Sequence, residues 1–352
     1  MRRPVPLLLA LLLLPTAARA VEPVVREGVG RRLDEHLQAL DKEKGGFCGS
    51  ALVAHQGEVL LEKGYGVMNA MAKTPMPPDA MWDWASVTKQ FTAAAILKLE
   101  MKKKLRLEDS IRKHFPKAPK DKQAVKILHL LNHTSGIKTD SRENTIDWRS
   151  KDAMVRYALS LPLASEPGAK WEYSNLAYFL LAALVEKASG TDYESFCIEQ
   201  LFRPAGMKEA CFIGSDGLDL ARVPLDARGT GVHFAYGTTM TWGYRGAGGA
   251  VVSCREMLAW DRALRADKLL SKAAKEKYYD AGLNDYALGW FVDRNHGGVR
   301  YWHSGAVGQT VTYYLRALDD DVVVALAHSE QPATHPEQTA RELVKIVLRG
   351  GG

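Results

Sequence analysis

Trp82-Asp83-Trp84-Ala85-Ser86-Val87-Thr88-Lys89-Gln90-Phe91-Thr92-Ala93-Ala94-Ala95-Ile96-Leu97 is the stretch on which the reading of this chain turns. The run from Gln90 onward reads as a buried helix, since it has almost no polar face to offer to water. Ser86 and Lys89 stand at its start, three residues apart, a spacing that sets both side chains on one helix face. An amine within reach of a hydroxyl is what a serine nucleophile needs when no histidine stands beside it. The spacing alone decides nothing, because Ser110/Lys113 and Ser135/Lys138 share it.

Residues 1–20 read as a signal peptide, to be set aside from the fold. Arg2 and Arg3 precede an apolar core from Leu7 to Leu14, and Ala18-Arg19-Ala20 has the small-x-small pattern of a cleavage site. The apolar run is shorter than the roughly 20 residues that span a bilayer. An exported, soluble protein without a stable membrane anchor is expected. Taking Arg2, Arg3 and Arg19 from the 47 basic residues leaves 44 against 41 acidic ones, a net of +3. No basic stripe interleaved with aromatics is present, so nucleic acid is not an expected partner. Cys48, Cys197, Cys211 and Cys254 would allow one or two disulfides in an oxidising compartment. No Cys-x-x-Cys or His-Glu-x-x-His occurs, which argues against a zinc site.

Periodicity places an amphipathic helix at residues 25–43 and a hairpin at 47–69 around Gln56-Gly57. A mostly helical region follows from Ser86 to about Val185, with a helix over Tyr173–Ser189 closed by Gly190. Residues 203–250, rich in glycine and without clear periodicity, read as loop or short strand, and Arg255–Arg265 is helical. Strands are predicted at Tyr286–Asp293, Val307–Leu315 and Val322–His328, and a last helix at Pro336–Leu348. The fold class is therefore α+β: an antiparallel sheet built from the N- and C-terminal segments, flanked by helices, with a mostly helical second lobe. Residues 21–352 form one domain, with the sheet lobe at about 24–80 and 250–352 and the helical lobe at about 81–249. Ligand sites favour the seam between such lobes.

Two further motifs carry chemistry. Tyr173-Ser174-Asn175 occurs once as Tyr-x-Asn and opens a helix. Its phenol can carry a proton if an ammonium lies close, and Asn175 offers both a donor and an acceptor. The plainer reading is a capping loop with a packed tyrosine. His303-Ser304-Gly305 precedes a strand, where a glycine lets another backbone approach. By itself it reads as a strand-end turn, and His296-Gly297-Gly298 fits the same spacing.

In the order Ser-x-x-Lys, Tyr-x-Asn, His-x-Gly, the chain resembles the serine β-lactamase and penicillin-binding-protein family, within it the class C β-lactamases, D-Ala-D-Ala carboxypeptidases and related esterases. Leu130-Leu131-Asn132-His133-Thr134-Ser135-Gly136-Ile137, the approach from Pro167-Gly168, Gly246-Ala247-Gly248-Gly249-Ala250 and Leu288-Gly289-Trp290 extend the likeness over roughly residues 30 to 348. The resemblance selects Ser86 over Ser110 and Ser135. It implies an exported serine hydrolase, periplasmic or secreted, that attacks an ester, lactam or peptide carbonyl through Ser86. Lys89 or Tyr173 would serve as base, with Asn175 gripping substrate and the N–H groups of Ser86 and Ala306 forming the oxyanion hole. No metal or organic cofactor is implied. Where many β-lactamases place lysine at the head of the third motif, this chain has His303. That departure favours esterase or peptidase-like activity over efficient β-lactam hydrolysis, unless Arg245, Arg294 or Arg300 restores the charge. A catalytically weak protein that binds penicillin or peptidoglycan is the alternative.

Overall fold

The computed structural model describes residues 21–41, 47–69, 71–138, 150–225, 234, 239–295, 297–329 and 335–350. The leader read at residues 1–20, and His296 of the second His-x-Gly match, lie outside them. The main sheet has β1 (Val24–Val25), β2 (Gly49–His55), β3 (Glu58–Tyr65), β4 (Phe291–Asp293), β5 (Arg300–Val307), β6 (Thr310–Ala317) and β7 (Val322–Ser329). Their order is β1-β3-β2-β7-β6-β5-β4, with every neighbour antiparallel. The N- and C-terminal segments join at β2 and β7, where His55 faces Val322 and Gly49 faces His328. This is the sheet expected from the two chain ends.

Both faces of the central strands are covered. Val53, Val322, Val324 and Leu326 point to one side, against α1 (Val29–Asp41) and the C-terminal helix Pro336–Arg349. Leu52, Ala54, Val323, Ala325 and Ala327 point to the other, towards α2 (Lys89–Met101), α3 (Asn175–Ser189) and α4 (Cys254–Arg265). Because a strand alternates its faces, double coverage turns β7 into an unbroken apolar run rather than an alternating one. α2 is buried on all sides, as its composition predicts, with Phe91, Ala93, Ala94, Ala95, Ile96 and Leu97 excluded from water. Each fully buried large apolar side chain of this kind contributes about 1.5–3 kcal/mol.

Three departures from the periodicity matter for the site. Val307–Leu315 is not one strand; the chain turns at Gly308-Gln309 and forms the β5–β6 hairpin. His303-Ser304-Gly305 therefore lies inside a strand, not at a strand-end turn. Tyr286–Asp293 pairs only over Phe291–Asp293, because the chain folds back at Leu288-Gly289-Trp290 and Tyr286 bridges to Phe291. A small sheet is allowed for by the pattern only as unplaced short strand within 203–250: Trp82–Asp83 pairs with Ala250–Val252, which also pairs with Cys211–Phe212. Strands of two or three residues are too short to show a period. All four cysteines are free, so the disulfides that an oxidising compartment would allow are not formed.

Candidate active site

The small sheet delivers the chain to the seam between the main sheet and the helices. Trp84 N–H donates to Ala250 O at 2.9 Å, and the chain then enters a 3₁₀ turn, Ala85–Thr88, that runs directly into α2. Side chains three apart eclipse in a 3₁₀ turn, so Lys89 stands directly over Ser86. Its ammonium donates to Ser86 Oγ at 3.0 Å and to Ala247 O at 3.1 Å. Ser86 is half-buried, while Lys89 has no exposed surface. The other two Ser-x-x-Lys pairs are engaged elsewhere. Ser110 Oγ donates to Gln123 O at 2.8 Å, with Lys113 on Asp109, and the buried Ser135 hydroxyl receives Ile137 N–H at 3.2 Å.

Tyr173 reaches the same point from α3. Ser174 caps that helix, its Oγ receiving Ala177 N–H at 3.3 Å, which makes Asn175 the first helical residue. The capping loop of the plainer reading is real, yet Tyr173 is left outside the helix with its ring 4.8 Å from Lys89 Nζ. Tyr178, one turn on, lies 5.5 Å from the same ammonium. The loop is held by His133 of the His-Thr-Ser-Gly segment. Its ring packs 4.4 Å from that of Tyr173, its Nδ1 receives Ser174 N–H at 3.1 Å, and its carbonyl receives Glu172 N–H at 2.8 Å. In this way the His-Thr-Ser-Gly segment supports the Tyr-x-Asn loop.

The third wall is β5. β4 pairs with Arg300, Tyr301 and Trp302 only, so among the described residues no strand flanks residues 303–307 on that side. Gly305 lies against the serine turn: a Cβ there would come within clash distance of Trp84 O and Thr312 Oγ1. Gly289 is constrained in the same way, since a Cβ would meet the backbone of Lys89 and Gln90 at 2.9 Å. Gly289 and Gly305 thus let the Leu288-Gly289-Trp290 fold-back and β5 both approach the start of α2. Ala306, next along β5, is exposed.

His303 is buried, 2 % exposed, and its ring centroid lies 6.3 Å from that of Tyr173. Its Nδ1 is 2.6 Å from Ser304 O, which can only accept, so Nδ1 carries the proton and Nε2 receives Tyr286 O–H at 3.2 Å. Burial, and after it the Lys89 ammonium, push the imidazole down to about 3. The same two causes, with His303 as a third, hold His133 well below its ordinary range. Such a histidine is neutral in the fold but protonates near 6.5 once unfolded. Its contribution is whole above pH 6.5 and is lost as pH falls, down to about 3 for His303. His303 should therefore cost about 1.4 kcal/mol of stability per pH unit over that window, and His133 acts in the same direction. Urea denaturation at pH 7, 6 and 5 should show this slope in the wild type and a shallower one in His303→Asn; equal slopes would rule out a neutral buried His303.

Of the arginines considered as substitutes for a third-motif lysine, Arg245 is bound to Glu194 at 2.5 Å and Arg294 to Asp285 at 2.8 Å. Arg300 is 5 % exposed, at the far end of β5. The sequence reading did not single out Ala247 O, Tyr286 or Asp83, although Asp83, a lone acid between two tryptophans, was a visible signal. Among the described residues no cluster of three or more His, Cys, Asp or Glu is able to hold a metal, and no helix is long and apolar enough to cross a membrane.

An antiparallel sheet with helices on both faces, and a serine with a buried lysine one turn later at its seam, define a class of proteins. The family model described as Beta-lactamase matches residues 33–349, and the chain belongs to that family of serine hydrolases. It is 30 % identical to penicillin-binding protein 4* of Bacillus subtilis (strain 168), over 90 % of this chain and 76 % of that protein. It is 29 % identical to esterase EstB of Burkholderia gladioli, over 74 % of this chain and 77 % of that one. The octameric penicillin-binding protein homologue of Pyrococcus abyssi shares the fold with a TM-score of 0.79 at 24 % identity, over 90 % of this chain and 77 % of that chain.

Proposed function

We propose that the chain is an exported serine hydrolase that forms an acyl-enzyme at Ser86 and prefers neutral esters or peptide-like amides to penicillins and cephalosporins. The observation that carries this reading is the 3.0 Å contact between Ser86 Oγ and a fully buried Lys89 ammonium beside an open strand edge. As Oγ bonds to the substrate carbonyl carbon, the Ser86 proton passes to the basic member of the Lys89–Tyr173 pair, either Lys89 as its neutral amine or Tyr173 as a phenolate held by the Lys89 ammonium. The developing oxyanion is received by the N–H groups of Ser86 and Ala306, each such donor contributing about 3–4 kcal/mol to the barrier. The start of α2 adds a favourable dipole for negative charge at Ser86. When the carbonyl reforms, the alcohol or amine leaves with the proton held by the pair, and water then releases the acid. Asn175, at the first turn of α3, and Gly305, which brings the β5 edge to the serine, would orient the substrate.

The preference for neutral substrates rests on His303, which carries no charge where a lysine would attract a carboxylate. Esterase EstB among the relatives supports the same direction. His303→Lys should raise the ratio of nitrocefin to p-nitrophenyl acetate turnover by about tenfold, the worth of roughly 1.4 kcal/mol of selective binding. An unchanged ratio would remove His303 as the source of selectivity. The function itself is tested by exposing wild type to a fluorophosphonate and to a fluorescent penicillin, with the adduct located by mass spectrometry. Adducts at Ser86 with ester turnover support the hydrolase. The relatives named as penicillin-binding proteins favour a second reading, a slow binder, for which Ser86 would be acylated by penicillin without turnover of any ester.

A further inference from the structure

Asp83 is a buried carboxylate that no step above uses. It precedes Ser86 by three residues and is 4 % exposed. Its Oδ1 receives Ala85 N–H at 2.9 Å and Gly249 N–H at 3.2 Å, and its Oδ2 receives Tyr244 O–H at 2.9 Å. Among the described residues no lysine, arginine or histidine is paired with it. A carboxylate taken out of water without a cation is costly, and burial pushes this one up to about 6 against the help of its three donors. A residue retained at such a cost invites a reason beyond packing.

The two backbone donors show what it holds. Ala85 is in the left-handed region, φ +43°, a conformation that an alanine rarely adopts. That kink turns the chain from the Trp82–Asp83 strand into the 3₁₀ turn and raises Ser86 towards β5. Asp83 receives the N–H of the kinked residue itself. Gly249 lies two residues beyond Ala247, whose carbonyl receives the Lys89 ammonium. One carboxylate oxygen therefore ties the loop that carries Ser86 to the loop that sets Lys89.

We propose that Asp83 is a positioning residue, which fixes the serine turn against the 244–249 loop and so holds Ser86, Lys89 and Ala247 in register for acylation. This rests on the reading of Ser86 as nucleophile. The role is positional and not ionic, because what the geometry needs is an acceptor at Oδ1. Asparagine can supply it: its Oδ1 receives both N–H groups while its Nδ2 donates to the Tyr244 oxygen.

The test compares burst-phase acylation by p-nitrophenyl acetate, and fluorophosphonate labelling at Ser86, in wild type, Asp83→Ala and Asp83→Asn. Asp83→Ala should lower the acylation rate about 100-fold with KM changed less than about threefold, and Asp83→Asn should recover to within about fivefold of wild type. If Asp83→Ala does not fold, Asp83→Glu takes its place. It keeps the charge but shifts the acceptor by a methylene, so positioning expects a fast Asn variant and a slow Glu variant. A fast Glu with a slow Asn would overturn the proposal in favour of a charge role. Acylation at the wild-type rate in Asp83→Ala, with only its Tm lowered, would overturn it in favour of packing alone. Wild type that is not labelled at Ser86 would instead refute the nucleophile reading, which separates the two failures.

Discussion

Ser86→Ala should abolish ester hydrolysis, with kcat/KM falling by about 10⁴-fold or more to the level of the uncatalysed reaction. The effect is this large because the oxygen removed is the atom that bonds to substrate. Ser110 and Ser135 are committed to Gln123 O and to Ile137 N–H, away from Lys89. Stability should change little, within about 0.5–1 kcal/mol, since Ser86 is half-buried and Lys89 keeps its bond to Ala247 O. Steady-state kinetics on p-nitrophenyl acetate together with a thermal melt check both parts. Appreciable turnover in a correctly folded Ser86→Ala would mean that another residue is the nucleophile, and the whole assignment of the site would fall with it.

Lys89→Met should give the second largest loss, about 10²–10⁴-fold in kcat/KM, the range that a positioned acid–base group supplies. Methionine keeps most of the volume and removes the charge. The ammonium is wholly buried among Tyr173, Tyr178, His133 and His303, and it lowers the basicity of both histidines. Methionine removes the burial cost of the charge but leaves Ala247 O without its donor, a loss of about 1–3 kcal/mol. Lys89→Met should therefore stay folded, with a modest fall in melting temperature, while losing activity. A variant that is stable and still within tenfold of wild-type kcat/KM would show that Tyr173 alone handles the serine proton.

Much of this site was legible before any coordinates. Ser86 and Lys89 are close because they are three residues apart at the start of a helix, and local geometry suffices to bring them together. Tyr173, preceding a well-marked helix start, and Gly305, whose lack of a side chain has a steric meaning, were visible for similar reasons. His303 was noticed as a departure, but its charge was read from its ordinary pKa. Burial beside Lys89 moves it much further, and burial is a property of neighbours that the local sequence does not contain. Asp83 and Ala247 went unassigned because their contribution is a hydrogen-bond geometry across more than 150 residues of chain. The β5–β6 hairpin was missed because Val307–Leu315 is apolar enough to pass for one strand, and the turn at Gly308-Gln309 left the period almost unbroken.

The sequence by itself determined which side chains are available and how the near ones are spaced: a serine one turn before a buried lysine, a tyrosine at a helix start, and apolar runs that must be covered on both faces. Those outcomes follow from short-range sterics and from the exclusion of apolar surface from water, both of which act along neighbouring residues. Only the tertiary structure decided that three distant segments meet at the start of α2, that His303 stays neutral, and that Asp83 joins two loops from opposite parts of the chain. Those depend on dielectric surroundings and on donor–acceptor distances, which exist only once the chain has closed upon itself.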